Sequence, residues 1–318
     1  MIFVTGAAGF IGRHLVERLL DAGLQVRVLL PPRRAKRPPT WASLPGVEII
    51  SGTLNEDEKL YKALTGVHVI FHLESAQWWG RRRNLERVEM VGLRHLAAAA
   101  RAARVGRIIV LSHLGASAAS AYPLLAVKGQ VEDAVKASGL AYTIIRTGLV
   151  FGPDDAFINN IAMMLSVNPL FFLMPGRGEV VLHPIFIDDL VSALMVSLQR
   201  VDTVDITTEI GGAEYTTLDD LIRTVMRVTR MRRFIIPTPP YLLRLVSRIY
   251  SRVLRRALVT PQWLDLLATN HTARLGALYE VFGIRARRLE DTLVDYMPKR
   301  RYFFRALGYA VRYRPREA

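Results

Sequence analysis

The sequence predicts an α/β protein, a doubly wound parallel sheet followed by a smaller, mostly helical C-terminal region. Apolar runs at residues 2–5, 24–30, 47–51, 67–73, 107–112 and 141–146 alternate with helix-period segments near 10–22, 56–65, 84–104 and 123–138. Strands that alternate with helices pair in parallel and take helices on both faces. Beyond Gly152-Pro153 the alternation breaks up at Pro169, Pro175-Gly176 and Gly178, and from Arg233 the remainder reads as helical and basic. The expected division is a core over 1–153, a mixed region over 154–298 that returns to the core at about 181–212 and forms a helical lobe, and a basic aromatic tail over 299–318.

Taken in order, the first strand is the most informative. The run Met1-Ile-Phe-Val-Thr-Gly-Ala-Ala-Gly-Phe-Ile-Gly12 breaks an apolar strand with glycines at 6, 9 and 12, just before an amphipathic helix. Gly6 permits the tight turn, Gly9 lets the main chain approach a pyrophosphate, and Gly12 lets the helix pack close to the strand. The helix N-terminus then faces the phosphates. Gly23 stops the helix and Val26-Arg-Val-Leu-Leu30 follows, completing a βαβ unit of roughly 30 residues. This is a Rossmann-type dinucleotide-binding turn.

Further along, the helix from Asn84 to Ala103 is expected to stop before Val105-Gly106 by the C-terminal glycine rule. Asp188 and Asp189 open a helix, where acidic residues stabilise the first turn whatever else they do. Ile206 to Ile210, Gly211-Gly212 and Thr216-Thr-Leu-Asp-Asp220 read as a strand, a turn and a capped helix.

Composition narrows the chemistry. At 318 residues with 51% hydrophobic side chains the chain can bury a substantial core. It has no cysteine, which removes disulfides, thiolate nucleophiles and Cys-bound metal, and its seven histidines show no metal-ligand spacing. No metal site is expected. The uncharged stretch from Phe157 to Met174 contains Asn159, Asn160, Asn168 and Pro169, so it reads as a helix and loop over a pocket, not as a membrane span. The glycine-bearing strand starts at the first residues, so no signal peptide is expected and the cytoplasm is the default location. A net charge of +15 points to an anionic partner.

The stretches Thr5-Gly-Ala-Ala-Gly-Phe-Ile-Gly12, Phe71-His-Leu73, Ile108-Ile-Val-Leu-Ser112, Lys128-Gly-Gln-Val-Glu132, Thr143-Ile-Ile-Arg146, Val150-Phe-Gly-Pro153 and Ile187-Asp-Asp189 together resemble the short-chain dehydrogenase/reductase superfamily. The similarity is to its extended and atypical, epimerase/dehydratase-like members and runs from residue 1 to about 295. Gly211-Gly-Ala-Glu-Tyr-Thr-Thr-Leu218 and Tyr279-Glu-Val-Phe-Gly-Ile284 resemble the group of the NADPH-binding accessory subunit of respiratory complex I. The resemblance implies nucleotide contacts from Thr5, Gly6, Gly9, Phe10, Ile11, Gly12, Thr53, Leu54, Leu73 and Lys128.

The family's redox chemistry uses a Tyr four residues before a Lys, plus a Ser after the fifth strand. Four residues turn a helix by about 400°, so phenol and ammonium share a face and the cation lowers the phenol pKa. Lys128 is present, but Leu124 stands where the Tyr belongs and Leu114 where the Ser belongs. Tyr122, six residues from Lys128, and Ser112, two before Leu114, are the substitutes on offer. Pro123 suits a first helical turn and leaves Tyr122 in extended backbone just outside it. Two departures touch the cofactor. Thr53 replaces the acid that the family uses against adenine, and Glu74 stands where the family has a small residue.

No acid occurs between Val26 and Trp41, while Arg33, Arg34, Lys36 and Arg37 follow the second strand. A carboxylate there would repel a 2′-phosphate, so NADP(H) is preferred with Arg33 and Arg34 as its partners, and NAD(H) is the alternative. The same cluster also reads as a solvated loop.

From Tyr241 to Thr260 there is no acid, and Arg244, Arg248, Arg252 and Arg255 recur at near-helical spacing among Leu245, Val246, Ile249, Val253 and Leu254. Such a helix suits an anionic lipid surface or acidic protein, or lays its apolar face on the core with arginines in water. The tail from Lys299 to Arg316 interleaves arginines with aromatics. A membrane surface or membrane-complex subunits, through 241–258 and 299–318, are the expected partners. Nucleic acid is disfavoured, since no RNA-binding motif is visible. Trp78-Trp79-Gly80-Arg81-Arg82-Arg83 reads equally as substrate-cleft lining or a docking loop.

The resulting expectation is a nucleotide-holding accessory or scaffold subunit with a degenerate redox site, peripheral at the inner face of a membrane. An active NADP-dependent oxidoreductase or epimerase on a small or lipid-like substrate is the alternative, and a nucleotide-sensing regulatory or RNA-binding protein a third.

Overall fold

The computed structural model describes residues 1–75, 85–253, 258–298 and 300–311. The N-terminal half alternates β1 (Ile2–Thr5), α1 (Phe10–Asp21), β2 (Val26–Leu30), α2 (Pro32–Ala35), β3 (Val47–Ser51), α3 (Asp57–Leu64), β4 (Val69–His72), α4 (Gly92–Ala102), β5 (Arg107–His113), α5 (Pro123–Lys136) and β6 (Ala141–Thr147). The irregular half adds β7 (Val150–Phe151), α6 (Ile158–Val167), β8 (Phe171–Pro175), β9 (Val181–Leu182), β10 (Ile185–Phe186), α7 (Ile187–Gln199) and β11 (Ile206–Ile210). It continues through β12 (Thr216–Thr217), α8 (Leu218–Thr229), β13 (Phe234–Thr238), α9 (Pro240–Val253), α10 (Pro261–Leu266), α11 (Ala277–Phe282), α12 (Leu289–Tyr296) and α13 (Tyr302–Val311).

Among the described residues the central sheet has seven strands in the order β11-β6-β5-β4-β1-β2-β3, all parallel. Alternation along each strand sends side chains to two cores. Ile2, Val4 and Ile109 join one core with α1, α6, α7 and α8, while Phe3, Ile108 and Val110 join the other with α3, α4 and α5. The chain leaves β1 toward β2 and β3 on one side, and β4 on the other, so the carboxyl ends of β1 and β4 flank the switch point where ligands of such sheets bind.

Three elements differ from the sequence reading. The helix expected over 84–104 carries a π turn at Arg87–Val91, and it is Arg104 at φ 57°, not Gly106, that takes the left-handed position at its end. Arg104 N–H donates to Arg101 O and Val105 N–H to Ala100 O, which satisfies the last carbonyls without a glycine. Residues 171–175 form a strand where a loop was expected, because β13 pairs with it in parallel. That same pairing makes 234–238 a strand inside the segment read as helical.

The capped helix at 216–220 is present as α8, where Thr217 Oγ1 accepts from Asp220 N–H at 3.1 Å. Asp188 and Asp189 lie in the first turn of α7, and Asp189 also accepts from Arg287 N–H at 2.8 Å. Residues 300–311 are not a free tail, since α13 packs along α6 with Tyr302 and Ala306 buried and Phe303, Phe304 and Leu307 exposed. On α9 the core-facing reading fails. Leu243 packs on the core, but Leu245 and Ile249 face solvent, and Arg244, 41% exposed in its side chain, pairs with Asp265 of α10 at 2.8 Å. Residues 254–257, 299 and 312–318 of the two basic segments, and the Trp78 to Arg83 run, lie outside the described residues.

Candidate nucleotide site

The glycine turn closes as the spacing demands. Gly6 sits at φ +68°, and a Cβ there would lie 2.6 Å from the Leu73 carbonyl carbon. A Cβ on Gly12 would lie 2.2 Å from the Gly6 oxygen, so the start of α1 touches the turn directly. Gly9 is exposed at the N-cap of α1, no side chain caps the helix, and its first turn holds no acid. Its N-terminal N–H groups and positive dipole end therefore suit an anion. Phe10 and Ile11 are half-buried beside them, and Phe10 Cζ would be 3.1 Å from a Cβ on Gly152.

Across the switch point, buried Thr5 and His72 are adjacent by register and bonded, Oγ1 to Nδ1, at 2.9 Å. Burial holds the His72 imidazole down at about 4, with Glu89 opposing and Lys128 adding to the shift, so it is neutral at pH 7. Its Nε2 has no partner among the described residues.

Lys128 comes from the middle of α5, 5% exposed, and its Nζ donates to Glu89 Oε2 at 2.8 Å. The other Glu89 oxygen accepts from Ser75 Oγ at 2.6 Å. Glu89 lies in the π turn, a departure from α-helical winding that re-aims a side chain. Sequence reasoning missed it. The signal was there: Glu89 shares helical spacing with Leu85, Leu93 and Leu96, and an acid on a buried stripe requires a partner. Glu74 is half-buried next in the chain to Ser75, and burial, with the charge of Glu89, pushes its carboxyl up to about 7.

Leu124 and Leu114, in the positions of the family's Tyr and Ser, are fully buried. Tyr122 is the N-cap of α5 in extended backbone, half-buried, with Val88 and Met90, against the core that includes Leu85 and Leu125. Ser112 donates to Glu132 Oε1 at 2.5 Å, and Glu132 in turn pairs with Arg146. Its hydroxyl is thus committed to a β5–α5–β6 network. Arg33 and Arg34 are exposed on α2, directly after β2. Thr53 N–H donates to Glu56 Oε1 at 2.9 Å, which brings a carboxylate back beside the position where the family has an acid. Leu54 is buried under Gly92, whose Cβ would stand 2.9 Å from Leu54 Cδ1. Leu73 contributes main chain to the Gly6 contact. Among the described residues there is no cluster of side chains able to hold a metal.

Comparison with known proteins agrees with this geometry. Residues 6–156 match a family model described as NAD(P)H-binding. A ceramide reductase of Caulobacter vibrioides is 31% identical over 195 residues, 61% of this chain and 60% of that protein. The mitochondrial NADH dehydrogenase [ubiquinone] 1 alpha subcomplex subunit 9 of Arabidopsis thaliana is 26% identical over 233 residues, 71% of this chain and 57% of that protein. The match thus spans less than two thirds of either relative. A crystal structure of UDP-glucose 4-epimerase from Thermotoga maritima superimposes with a TM-score of 0.71 at 19% identity, covering 96% of this chain and 99% of that one. With the sheet order, the glycine turn and the family match together, residues 6–156 form an NAD(P)H-binding Rossmann-type domain, and the chain has the fold of the extended, epimerase-like proteins and is similar to the complex I subunit.

Proposed function

We propose that the protein holds NADP(H) as a fixed structural element and serves as an accessory or scaffold subunit of a membrane-associated complex. The observation that carries this reading is the state of Lys128. Its charge is engaged by buried Glu89, and the helix position one turn earlier is the buried Leu124. A lysine paired with a buried carboxylate, with leucine in place of a phenol one turn earlier, is poorly placed to drive proton transfer.

The glycine turn and the N-terminus of α1 hold the pyrophosphate in this reading, Arg33 and Arg34 the 2′-phosphate, and Lys128 the nicotinamide ribose with the donors not used by Glu89. The nucleotide when bound supplies a hydride carrier; the residues around it are arranged to retain it. A ligand that binds only the folded state stabilises it by about 2.7 kcal/mol at a hundredfold excess over its Kd. The relative in mitochondrial NADH dehydrogenase supports the membrane-complex part, with the outward apolar faces of α9 and α13 as the contacts and the cytoplasmic side of a membrane as the location. Among the described residues no helix is long and apolar enough to cross a membrane.

Glu74 favours a second reading. With its carboxyl near 7 it is partly protonated at neutral pH and could donate the proton that Leu124 cannot. The chain would then be an NADP-dependent oxidoreductase or epimerase on a small or lipid-like substrate, in keeping with the similarity to a ceramide reductase. Native mass spectrometry of the purified chain tests the first reading. About one NADP(H) retained per chain is expected; a nucleotide-free protein that acquires NADPH only transiently during turnover would contradict it.

A further inference from the structure

A two-stranded ribbon outside the central sheet turns large apolar side chains to solvent. In β8, Phe172 and Met174 are buried while Phe171 and Leu173 point outward; in β13, Phe234 and Ile236 do the same. The parallel register sets Phe234 beside Phe171 and Ile236 beside Leu173, so the four share one pleated face. Phe234 is 80% exposed. One residue, Pro239, separates β13 from α9, where Tyr241, Leu242, Leu245 and Ile249 are exposed in turn. A large phenylalanine lone in water is ordinary; a run of paired apolar side chains continuing into an exposed helical face marks an interaction surface.

The charge of the same segments identifies what covers it. Residues 157–178 and 230–264 contain nine arginines, no lysine and no Asp or Glu. Arg230 and Arg232 are exposed immediately before Phe234. Apolar side chains flanked by cations, with the next acids in sequence only at Glu179 and at Asp265, which Arg244 engages, match the interface of an anionic bilayer, where the rings and aliphatic chains enter the acyl boundary and the guanidinium groups meet phosphates. A bilayer satisfies both demands without shape complementarity.

We propose that the β8–β13 ribbon, with the outward face of α9, docks on an anionic phospholipid monolayer. This rests on the peripheral-membrane part of the function proposed above and names the surface and the ligand chemistry. It moves the main contact to Phe171, Leu173, Phe234 and Ile236, which lie outside the two basic segments singled out in the sequence.

Cosedimentation of the full chain with protein-free vesicles tests it, using phosphatidylcholine alone and phosphatidylcholine mixed with phosphatidylglycerol. The expected result is binding to the anionic vesicles at least tenfold tighter than to the neutral ones. The F171S/F234S double variant should lose at least tenfold in that affinity with thermal unfolding and nucleotide content unchanged, and L245S/I249S should weaken it in the same direction. Absence of binding to anionic vesicles, or undiminished binding by F171S/F234S, overturns the assignment, and a protein partner would then be the occupant. Nucleotide content and turnover, measured on the same samples, report separately on the cofactor-holding reading. Vesicle binding without retained nucleotide overturns that reading alone, whereas retained, unreacted nucleotide without vesicle binding overturns the docking proposal alone.

Discussion

Lys128 Nζ and Glu89 Oε2 are 2.8 Å apart, on side chains 7% and 1% exposed. Removing one partner from a buried pair strands the other charge, at a cost of about 3–5 kcal/mol. Glu89→Leu and Lys128→Met are each expected to destabilise the chain by that order, and the double variant by much less than their sum. Urea unfolding of the three variants checks this. Additive losses would mean that the two groups are not each other's main partner.

The glycine turn is predicted to be intolerant at two of its three positions. Gly12→Ala puts a methyl 2.2 Å from the Gly6 oxygen, and Gly6→Ala puts one 2.6 Å from the Leu73 carbonyl carbon at a φ of +68°. Both should reduce nucleotide affinity by at least tenfold and lower the unfolding temperature. At Gly9 the nearest atom to a Cβ is its own turn's Gly6 oxygen at 3.0 Å, so Gly9→Ala should cost stability less and act mainly on the bound nucleotide. Isothermal titration with NADPH and thermal unfolding separate the two effects.

Arg33 and Arg34 are exposed and make no ion pair among the described residues, so their replacement should leave folding intact. R33A/R34A is expected to weaken NADPH by about tenfold or more and NADH little, since only the former carries the 2′-phosphate. Equal loss for both nucleotides, or none for NADPH, would remove these arginines from the site.

Acid should weaken the fold through His72. Its imidazole is held at about 4 in the folded chain against about 6.5 when unfolded. The unfolded chain therefore takes up a proton as pH falls through 6.5 while the folded chain does not. The stability tied to neutral His72 is fully present above pH 6.5 and is lost as pH falls toward 4. His72→Asn keeps an acceptor for Thr5 and removes the titration, so the slope of unfolding free energy between pH 6.5 and 4 should flatten. His113, held at about 3 by burial, next to His271 and bonded to the Leu114 carbonyl, contributes a remaining slope of the same sign.

The Rossmann half was legible because its signals are local. Strand and helix periods, the glycines at 6, 9 and 12, and the stop at Gly23 each follow from a few neighbouring residues. What escaped depends on distant pairing. Phe171-Phe-Leu173 and Phe234-Ile-Ile236 are short apolar β-forming runs, but each runs into a proline and only their mutual pairing settles them as strands. Glu89 sits in a π turn and meets Lys128 across 39 positions of sequence, so its partner could not be read from its neighbours. On α9 the arginine spacing was legible and left two orientations open, because Asp265, which pairs with Arg244, lies on another helix.

The claim that the nucleotide is retained and not consumed is tested most directly by single-turnover fluorescence of the reduced nicotinamide. NADPH-loaded protein would be mixed with a panel of carbonyl compounds that includes a long-chain keto lipid, alongside Lys128→Ala and Glu74→Gln. The reduced-nicotinamide signal is expected to persist in all three proteins. Steady oxidation by the unaltered chain, abolished by Lys128→Ala or Glu74→Gln, would contradict it and establish an enzyme.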